Sequence, residues 1–213
     1  DHYERFWAAA QDLQIPVSLH ILTGHNYSKN LLSAGVPVME RYRGHVNLKT
    51  LDAADALQTI IQSGVLERHP GLKLVVVENE IGWIPFYLQQ WDYYYRRFVK
   101  SDPLPITHEP SYYFNRQVFV TFFNDAVGGH ILSWWGQDNC MWSNDFPHPN
   151  STWPDSLKVI ERDLGHLPAG ARVIFTRGSL DIVVESGDGI QGSIGDKDVR
   201  LDTGDHVLID TGP

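Results

Sequence analysis

Cysteine is almost absent from this sequence of 213 residues, and long apolar runs are missing from it altogether. The single cysteine, Cys140, cannot form an internal disulfide bond, and no apolar run approaches the ~20 residues of a membrane span. The start of the chain also lacks the charged and then apolar pattern of a secretory signal. We therefore expect a cytoplasmic protein without a membrane anchor or a disulfide framework.

Basic residues are in the minority, because 17 Lys and Arg stand against 26 Asp and Glu, for a formal net charge of -9 at pH 7. This balance disfavours binding to nucleic acid or to an anionic membrane surface, since both attract positive charge. Apolar residues make up 42% of the chain and charged residues 20%. Such a composition is typical of a folded globular protein rather than a disordered or fibrous one.

Aromatic residues disappear from the last part of the chain, where only Phe175 follows position 170. This tail is instead rich in glycine and acidic residues. We place a domain boundary near residues 167–171, which divides the chain into residues 1–168 and residues 169–213.

Short apolar runs alternate with longer stretches of helical periodicity in the first of these parts. Continuous apolar runs are typical of parallel strands that are covered on both faces, and the alternation predicts β/α units with right-handed crossovers. The apolar runs are residues 17–19, 72–77, 118–122 and 140–142, and the helical stretches are residues 3–13, 51–63, 83–99, 126–135 and 156–164.

One helical stretch carries an aromatic stripe, and two connections are unusually long. The stripe recurs at three- and four-residue steps, which predicts packing of a helix on the sheet rather than a cofactor site. Residues 23–49 and 100–117 exceed a typical connection, so we expect functional loops there. The stripe consists of Trp83, Tyr87, Trp91, Tyr94, Tyr95 and Phe98.

The tail has a different pattern, in which short strand-like runs are separated by Gly and Asp turns. These runs are residues 172–176, 180–185, 189–194 and 207–209. We predict antiparallel β structure for this part of the chain.

Polar residues follow each apolar run of the first part. In a parallel α/β sheet, chemistry gathers beyond the carboxyl ends of the strands, where several loops converge. The candidates at these positions are His20, Glu78, Asn124 with Asp125, and Asp145.

His20 and Asp145 each have two possible interpretations. The imidazole of His20 is either a metal ligand or a half-buried group bonded to a backbone carbonyl. The carboxylate of Asp145 either binds a metal and takes a proton, or caps the next helix. Their presence in one β/α array favours the metal site, and we expect both side chains to converge at one end of the sheet.

Other residues with possible chemistry lie near these positions. Glu78 and Glu80 form a close carboxylate pair that suits acid or base chemistry, although such a pair is more often solvated. His148 lies in a proline-flanked loop that could direct its imidazole back to the site, or lie at the surface. Cys140 is surrounded by apolar neighbours and is interpreted as buried filler without reactivity.

Two long motifs, SGVLERHPGLKLVVVENEIGWIP at residues 63–85 and MWSNDFPHPNSTWP at residues 141–154, resemble the amidohydrolase-related family. This family includes aminocarboxymuconate semialdehyde decarboxylase and its relatives. The segment PVSLH at residues 16–20 fits the same pattern, and the likeness covers about residues 1–166.

The resemblance implies a metal-dependent (β/α)8 barrel that acts as a hydrolase or a non-oxidative decarboxylase on small carboxylated or aromatic molecules. In the family, a histidine that ends the fifth strand binds the metal, and His20 matches it. An aspartate that ends the eighth strand reaches the metal and serves in proton transfer, and Asp145 matches it. Glu78 stands where a catalytic histidine often follows strand six, and we assign Glu78 and His148 to the substrate or to the surroundings of the metal. Zinc is the expected metal, with manganese next.

The resemblance covers only the C-terminal half of such a barrel, about four β/α units. The paired ligands of the family's first strand have no counterpart in the sequence. With His20 and Asp145 alone, we expect weak metal binding and little turnover. The alternative is a non-catalytic half-barrel that binds a ligand, a second copy of itself or a complementary N-terminal half.

The tail resembles part of a second fold. ARVIFTRGSLDIVV at residues 171–184 is similar to the early strands of a cupin barrel, and GDHVLIDTGP at residues 204–213 resembles the start of the second cupin motif. Asp210 stands where that motif usually has proline. The resemblance implies a partial, cupin-like module fused to the half-barrel.

Overall fold

A computed structural model describes most of the chain. The described residues are 2–20, 35, 37–39, 49–135 and 137–167, together with the strand segments 172–177, 180–185, 189–194 and 197–201. The predicted rim loop at residues 23–49 and the predicted strand at residues 207–209 lie almost wholly outside them.

Four parallel strands alternate with helices in the first part of the chain, which confirms the α/β prediction. The strands are β1 (Val17–His20), β2 (Leu74–Val77), β3 (Val118–Phe122) and β4 (Cys140–Trp142). The helices are α1 (Glu4–Asp12), α2 (Lys49–Gln62), α3 (Val65–Arg68), α4 (Ile84–Phe98), α5 (Pro110–Gln117), α6 (Ala126–Trp135) and α7 (Ser156–Leu164), with a short 3-10 turn at Gln137–Asn139.

Helix α5 lies in the stretch that the sequence predicted as a loop. Its first residue is Pro110, which suits the first turn of a helix because that position needs no N–H donor. Tyr113 and Phe114 are fully buried in α5, so this part of the predicted rim contributes to the core instead.

In β2 and β3, only one face of the strand is fully buried. Because successive side chains of a strand point to opposite faces, alternate residues show which face is covered. On the covered face, which packs with the helices, the side chains are at most 1% exposed, as in Leu74, Val76, Val118, Val120 and Phe122. The other face is half-buried at Val75, Val77, Phe119 and Thr121. The prediction of strands covered on both faces was therefore wrong for this chain.

The aromatic stripe of α4 packs on the core through its first part. Trp91 is buried, and Trp83, Tyr87 and Tyr95 pack against the core. Tyr94 and Phe98, however, are about half exposed and stack on each other. The prediction is confirmed for Trp83, Tyr87, Trp91 and Tyr95 and is wrong for Tyr94 and Phe98, whose side chains are exposed.

The tail strands extend the same sheet. Strand β5 (Arg172–Arg177) pairs in parallel with β4, and β6 (Leu180–Glu185), β7 (Gly189–Ile194) and β8 (Lys197–Leu201) follow in antiparallel order. The sequence missed β8, because its polar run KDVRL carries a weak strand signal. No helix in the described part of the chain has both the length and the hydropathy needed to cross a bilayer.

A buried polar contact joins α5 to α3. The hydroxyl of Tyr113, which is fully buried, donates a hydrogen bond to the carboxylate of Glu67. The same hydroxyl accepts the backbone N–H groups of Thr107 and His108 at 3.0 and 3.1 Å. The hydrogen bond from Tyr113 lowers the pKa of Glu67, and burial raises the pKa of the Tyr113 hydroxyl. This tyrosine therefore satisfies three polar groups at once.

We expect Tyr113→Phe to lower the free energy of unfolding by about 1 kcal/mol, because two partly buried N–H groups lose their acceptor and Glu67 keeps only the hydrogen bond from Oγ1 of Thr107. Urea unfolding at pH 7 measures the change, and Tyr93→Phe on the exposed face of α4 is the control. Since the pKa of Glu67 is lowered in the folded state, its contribution is complete at neutral pH and is lost as the pH falls through that pKa. Equal stability of Tyr113→Phe and the wild type at pH 7 would contradict this role.

Candidate metal centre

The parallel pairing brings the strand-end residues to one edge of the sheet. His20 ends β1 and is paired with Val77, which directly precedes Glu78. Strand β4 ends at Trp142, three residues before Asp145, and is in register with the end of β3. The expectation that His20 and Asp145 lie at the same end of the sheet agrees with this topology.

Three side chains come together at this edge. Glu78, Asp145 and His148 each offer a ligand atom, and these atoms lie within 4.8 Å of one another. The side chain of Asp145 is only 7% exposed, that of Glu78 is 18% exposed, and that of His148 is 64% exposed. Nδ1 of His148 lies 3.2 Å from Oδ1 of Asp145. We call Glu78, Asp145 and His148 the strand-end triad.

His20 contacts the strand-end triad through one of its members. Its Nε2 lies 3.1 Å from Oε1 of Glu78, and its side chain is 44% exposed. His20 is not itself among the three residues whose ligand atoms lie within 4.8 Å of one another. The sequence paired His20 with Asp145. In the structure, His20 lies beside Glu78, and His148 lies beside Asp145.

A tight turn after β4 places His148 beside Asp145. The backbone of Asp145 has a φ of 58°, a left-handed conformation that is uncommon for a residue other than glycine. The N–H of His148 donates to the carbonyl of Asp145 at 2.9 Å, and the N–H of Ser143 donates to the carbonyl of Phe122 at 2.9 Å. The loop is thus fixed at both ends, and the alternative of His148 as an unrelated surface residue is disfavoured.

Glu78 also has a left-handed backbone, with a φ of 60°. Its N–H donates a 2.9 Å hydrogen bond to Oγ1 of Thr121, which lies in the neighbouring strand β3. Thr121 went unnoticed in the sequence, because it stands inside an apolar run that suits a strand. The only signal in the sequence was that Thr121 is polar and stands one position before the end of an apolar run.

Glu80 and Asp125, which also follow strands, bind backbone groups instead. Oε2 of Glu80 accepts the N–H groups of Phe123 and Asn124 at 3.1 and 3.3 Å. Oδ2 of Asp125 accepts the N–H of Ile81, and its Oδ1 accepts the N–H of Gly128 in the first turn of α6. The carboxylates of Glu78 and Glu80 thus contact different groups, and acid or base chemistry by this pair stays a prediction.

Cys140 and Asn124 do not take part in the centre. Cys140 is 9% exposed, and burial, with a smaller contribution from the charge of Asp125, raises the pKa of its thiol far above the usual value. A thiol in this state is inert, as the sequence indicated. Oδ1 of Asn124 accepts a hydrogen bond from Arg162 at 2.6 Å.

The strand-end triad has the donor chemistry of a divalent metal site. Metal–oxygen and metal–nitrogen bonds are ~2 Å long, so donors on opposite sides of an ion lie ~4 Å apart. The ligand atoms of the strand-end triad lie within 4.8 Å of one another, so a small side-chain movement would let them bind one ion. Two carboxylates with imidazole suit first-row metals such as manganese or zinc.

Several known decarboxylases are similar to this chain. The gamma-resorcylate decarboxylase of Rhodococcus jostii is 27% identical in a match of 174 residues that covers 76% of this chain and 50% of that protein. The 5-carboxyvanillate decarboxylase of Sphingomonas paucimobilis has a similar structure, with a TM-score of 0.56, 21% identity, and coverage of 76% of this chain and 47% of that chain.

A dihydroxybenzoic acid decarboxylase from a Polaromonas species is also similar, with a TM-score of 0.54 and 18% identity. The match covers 76% of this chain and 47% of that chain, whose structure holds manganese and the inhibitor 2-nitroresorcinol. The present chain thus spans about half the length of the relatives it matches, and at this identity the structural likeness shows the fold alone.

The family model described as "Amidohydrolase" matches residues 1–173, which include all four parallel strands, the strand-end triad and the first residues of β5. The resemblance drawn from the two sequence motifs is confirmed by this match. The chain belongs to the amidohydrolase family.

Proposed function

We propose that this chain is part of a metal-dependent carboxy-lyase that removes carbon dioxide from a small aromatic carboxylate without an oxidant. The observation that carries the proposal is the strand-end triad, a group of two carboxylates and an imidazole at the carboxyl ends of parallel strands. Family membership and the decarboxylases among the relatives support it. Hydrolysis is the alternative reaction, since the same donors also suit activation of water.

We assign the metal to Asp145, with Glu78, His148 and His20 as the further donors in reach. The side chain of Asp145 is the least exposed of the four. The carboxylate of Glu78 lies beside His20 and also belongs to the strand-end triad. Manganese is our choice of metal because the donor set is rich in carboxylate oxygen and because a similar decarboxylase holds manganese. Zinc, which the sequence favoured, is the second choice.

A bound divalent ion would supply a Lewis acid that holds the carboxylate and the adjoining oxygen of the substrate. Decarboxylation breaks the bond between the ring carbon and the carboxylate carbon, carbon dioxide leaves, and the ring carbon takes a proton. We assign delivery of that proton to Asp145, whose buried carboxyl group faces away from bulk water. The contact between Asp145 and the exposed His148 links this group to solvent.

The remaining assignments rest on composition and pattern. We propose that the half-exposed face of the parallel sheet is covered by a complementary N-terminal half-barrel or by a second copy, which would complete the site. Division of the chain into residues 1–168 and a cupin-like module at residues 169–213 is also a proposal, as is a cytoplasmic location. The antiparallel order of β5 to β8 is compatible with the cupin likeness.

We expect the chain to bind one equivalent of Mn²⁺, and we expect Asp145→Asn to weaken that binding strongly, because an amide is a poorer ligand than a carboxylate. Electron paramagnetic resonance of free Mn²⁺ measures the affinity. Asp155→Asn is the matched control, since Asp155 is exposed and paired with Lys158 in the same part of the chain. Equal affinity of Asp145→Asn and the wild type would reject the assignment.

In a longer protein that also carries the complementary N-terminal half, we expect release of carbon dioxide from 2,6-dihydroxybenzoate or 5-carboxyvanillate with saturating Mn²⁺. We expect a loss of about 10²- to 10⁴-fold in turnover for Asp145→Asn in that protein, because the amide cannot deliver a proton. The rate is followed by ultraviolet absorbance, and circular dichroism checks that the variant is folded. Full turnover by a folded Asp145→Asn protein would exclude this residue as the proton donor. Release of a hydrolysis product from an ester or amide instead would favour the alternative.

A further inference from the structure

The loop that follows β2 holds two residues in an unfavourable backbone conformation. Glu78 and Glu80 both lie in the left-handed region, with φ values of 60° and 55°, although neither is glycine. This conformation is unfavourable for residues other than glycine and persists only when surrounding contacts hold it. Since Glu78 belongs to the strand-end triad, the contacts that hold this loop also decide where its carboxylate lies.

The first of these contacts runs from the β2 loop to the end of β3. Oε2 of Glu80 accepts the backbone N–H groups of Phe123 and Asn124, directly after β3. The indole N–H of Trp83 donates to the carbonyls of Asn79 and Glu80 at 2.8 and 3.2 Å, which fixes the backbone between the two left-handed residues and α4.

The second contact runs in the opposite direction, from the β3 loop to the β2 loop. Oδ2 of Asp125 accepts the N–H groups of Ile81 and Gly82 at 2.8 and 2.6 Å. The approach is close, because a Cβ atom on Gly82 would lie 3.0 Å from Oδ1 of Asp125, and one on Gly128 would lie 2.7 Å from Oδ2. Glycine at both positions therefore leaves room for the carboxylate.

The third contact acts on Glu78 itself, whose N–H donates to Oγ1 of Thr121. The neighbouring loops thus hold each other by a reciprocal exchange, in which each supplies a carboxylate to the backbone of the other. We call Glu80, Asp125 and Thr121 the strand-end clamp.

We propose that the strand-end clamp positions Glu78 for metal binding, and that Glu80 acts as a hydrogen-bond acceptor and not as a metal ligand. This inference rests on the proposed function, because it takes Glu78 as a donor to the metal. The clamp keeps the carboxylate of Glu78 at 3.1 Å from His20 and within reach of Asp145 and His148. Glu80, Asp125 and Thr121 are positioning residues, since they act through the backbone of the loop.

The neighbouring glutamates allow a sharp test, because substitution by glutamine should leave the Mn²⁺ affinity unchanged at position 80 and lower it at position 78. Glu80→Gln keeps a carbonyl oxygen that accepts both N–H groups, so we expect an Mn²⁺ affinity close to that of the wild type. Glu80→Ala removes the acceptor, and we expect a loss of about 10- to 100-fold, the usual cost of losing a group that orients a ligand. Glu78→Gln replaces a carboxylate donor with an amide, which is a poorer metal ligand, and should weaken Mn²⁺ binding as well.

Two further variants of the whole chain complete the experiment. Thr121→Val removes the acceptor of the Glu78 N–H with little change of shape, and we expect weaker Mn²⁺ binding; it decides the question if Glu80→Ala does not fold. Glu161→Ala, on the exposed surface of α7, is the control and should bind as the wild type does. All affinities are measured by the Mn²⁺ resonance, and folding is checked by circular dichroism.

The outcomes separate the clamp from the proposed function. Equal losses in Glu80→Gln and Glu80→Ala would overturn the clamp, because the charge of Glu80 would then be what binding needs. Wild-type affinity in Glu80→Ala and Thr121→Val, with a loss in Glu78→Gln, would overturn the clamp and leave the metal site standing.

Wild-type affinity in Glu78→Gln would instead overturn Glu78 as a metal ligand. Crystal structures without metal then test the clamp by itself. We expect the 3.1 Å contact between His20 and Glu78 to persist in Glu80→Gln and to be lost in Glu80→Ala. Its persistence in Glu80→Ala would overturn the clamp.

Discussion

The parallel pairing of β1 to β4 is the constraint on which the rest of the site depends. Backbone hydrogen bonds hold the four strands in register, so that residues far apart in the chain leave the sheet at the same edge. A shift of one residue in β1 or β2 would turn its side chains to the opposite face and separate Glu78 from His20. The buried face prevents such a shift, because it would expose fully buried residues such as Val76 and Val120.

The carboxylates at this edge of the sheet fall into two groups, which differ in the groups that they contact. Glu78 and Asp145 lie beside imidazoles, where their oxygens remain near other donor atoms. Glu80 and Asp125 lie beside backbone N–H groups that the strand ends leave without ladder partners, and they satisfy those groups. A metal site built on strained loops needs both kinds of carboxylate, because ligands have to be held as well as supplied.

The uneven burial of the sheet agrees with the extent of the family match. Helices cover one face of the parallel strands, while Val75, Val77 and Phe119 on the other face stay half-buried. The matched part of this chain covers 50% and 47% of the length of two of these relatives. Sequence patterns could not distinguish the two faces, since apolar residues occur on both, and a continuous apolar run predicts a strand without stating what covers it.

The sequence by itself determined the four β/α units, the polar residues at the strand ends and the family, because apolar periodicity and motif spacing are local properties. Tertiary structure alone decided which of those residues meet: that Glu78 contacts His20, that His148 turns back on Asp145, and that Glu80 binds backbone instead of pairing with Glu78. Thr121 shows the difference most clearly, since inside its own strand it is one residue of an apolar run. Its role exists only because β3 lies beside β2, and that neighbourhood is set by long-range pairing and packing, which no local pattern contains.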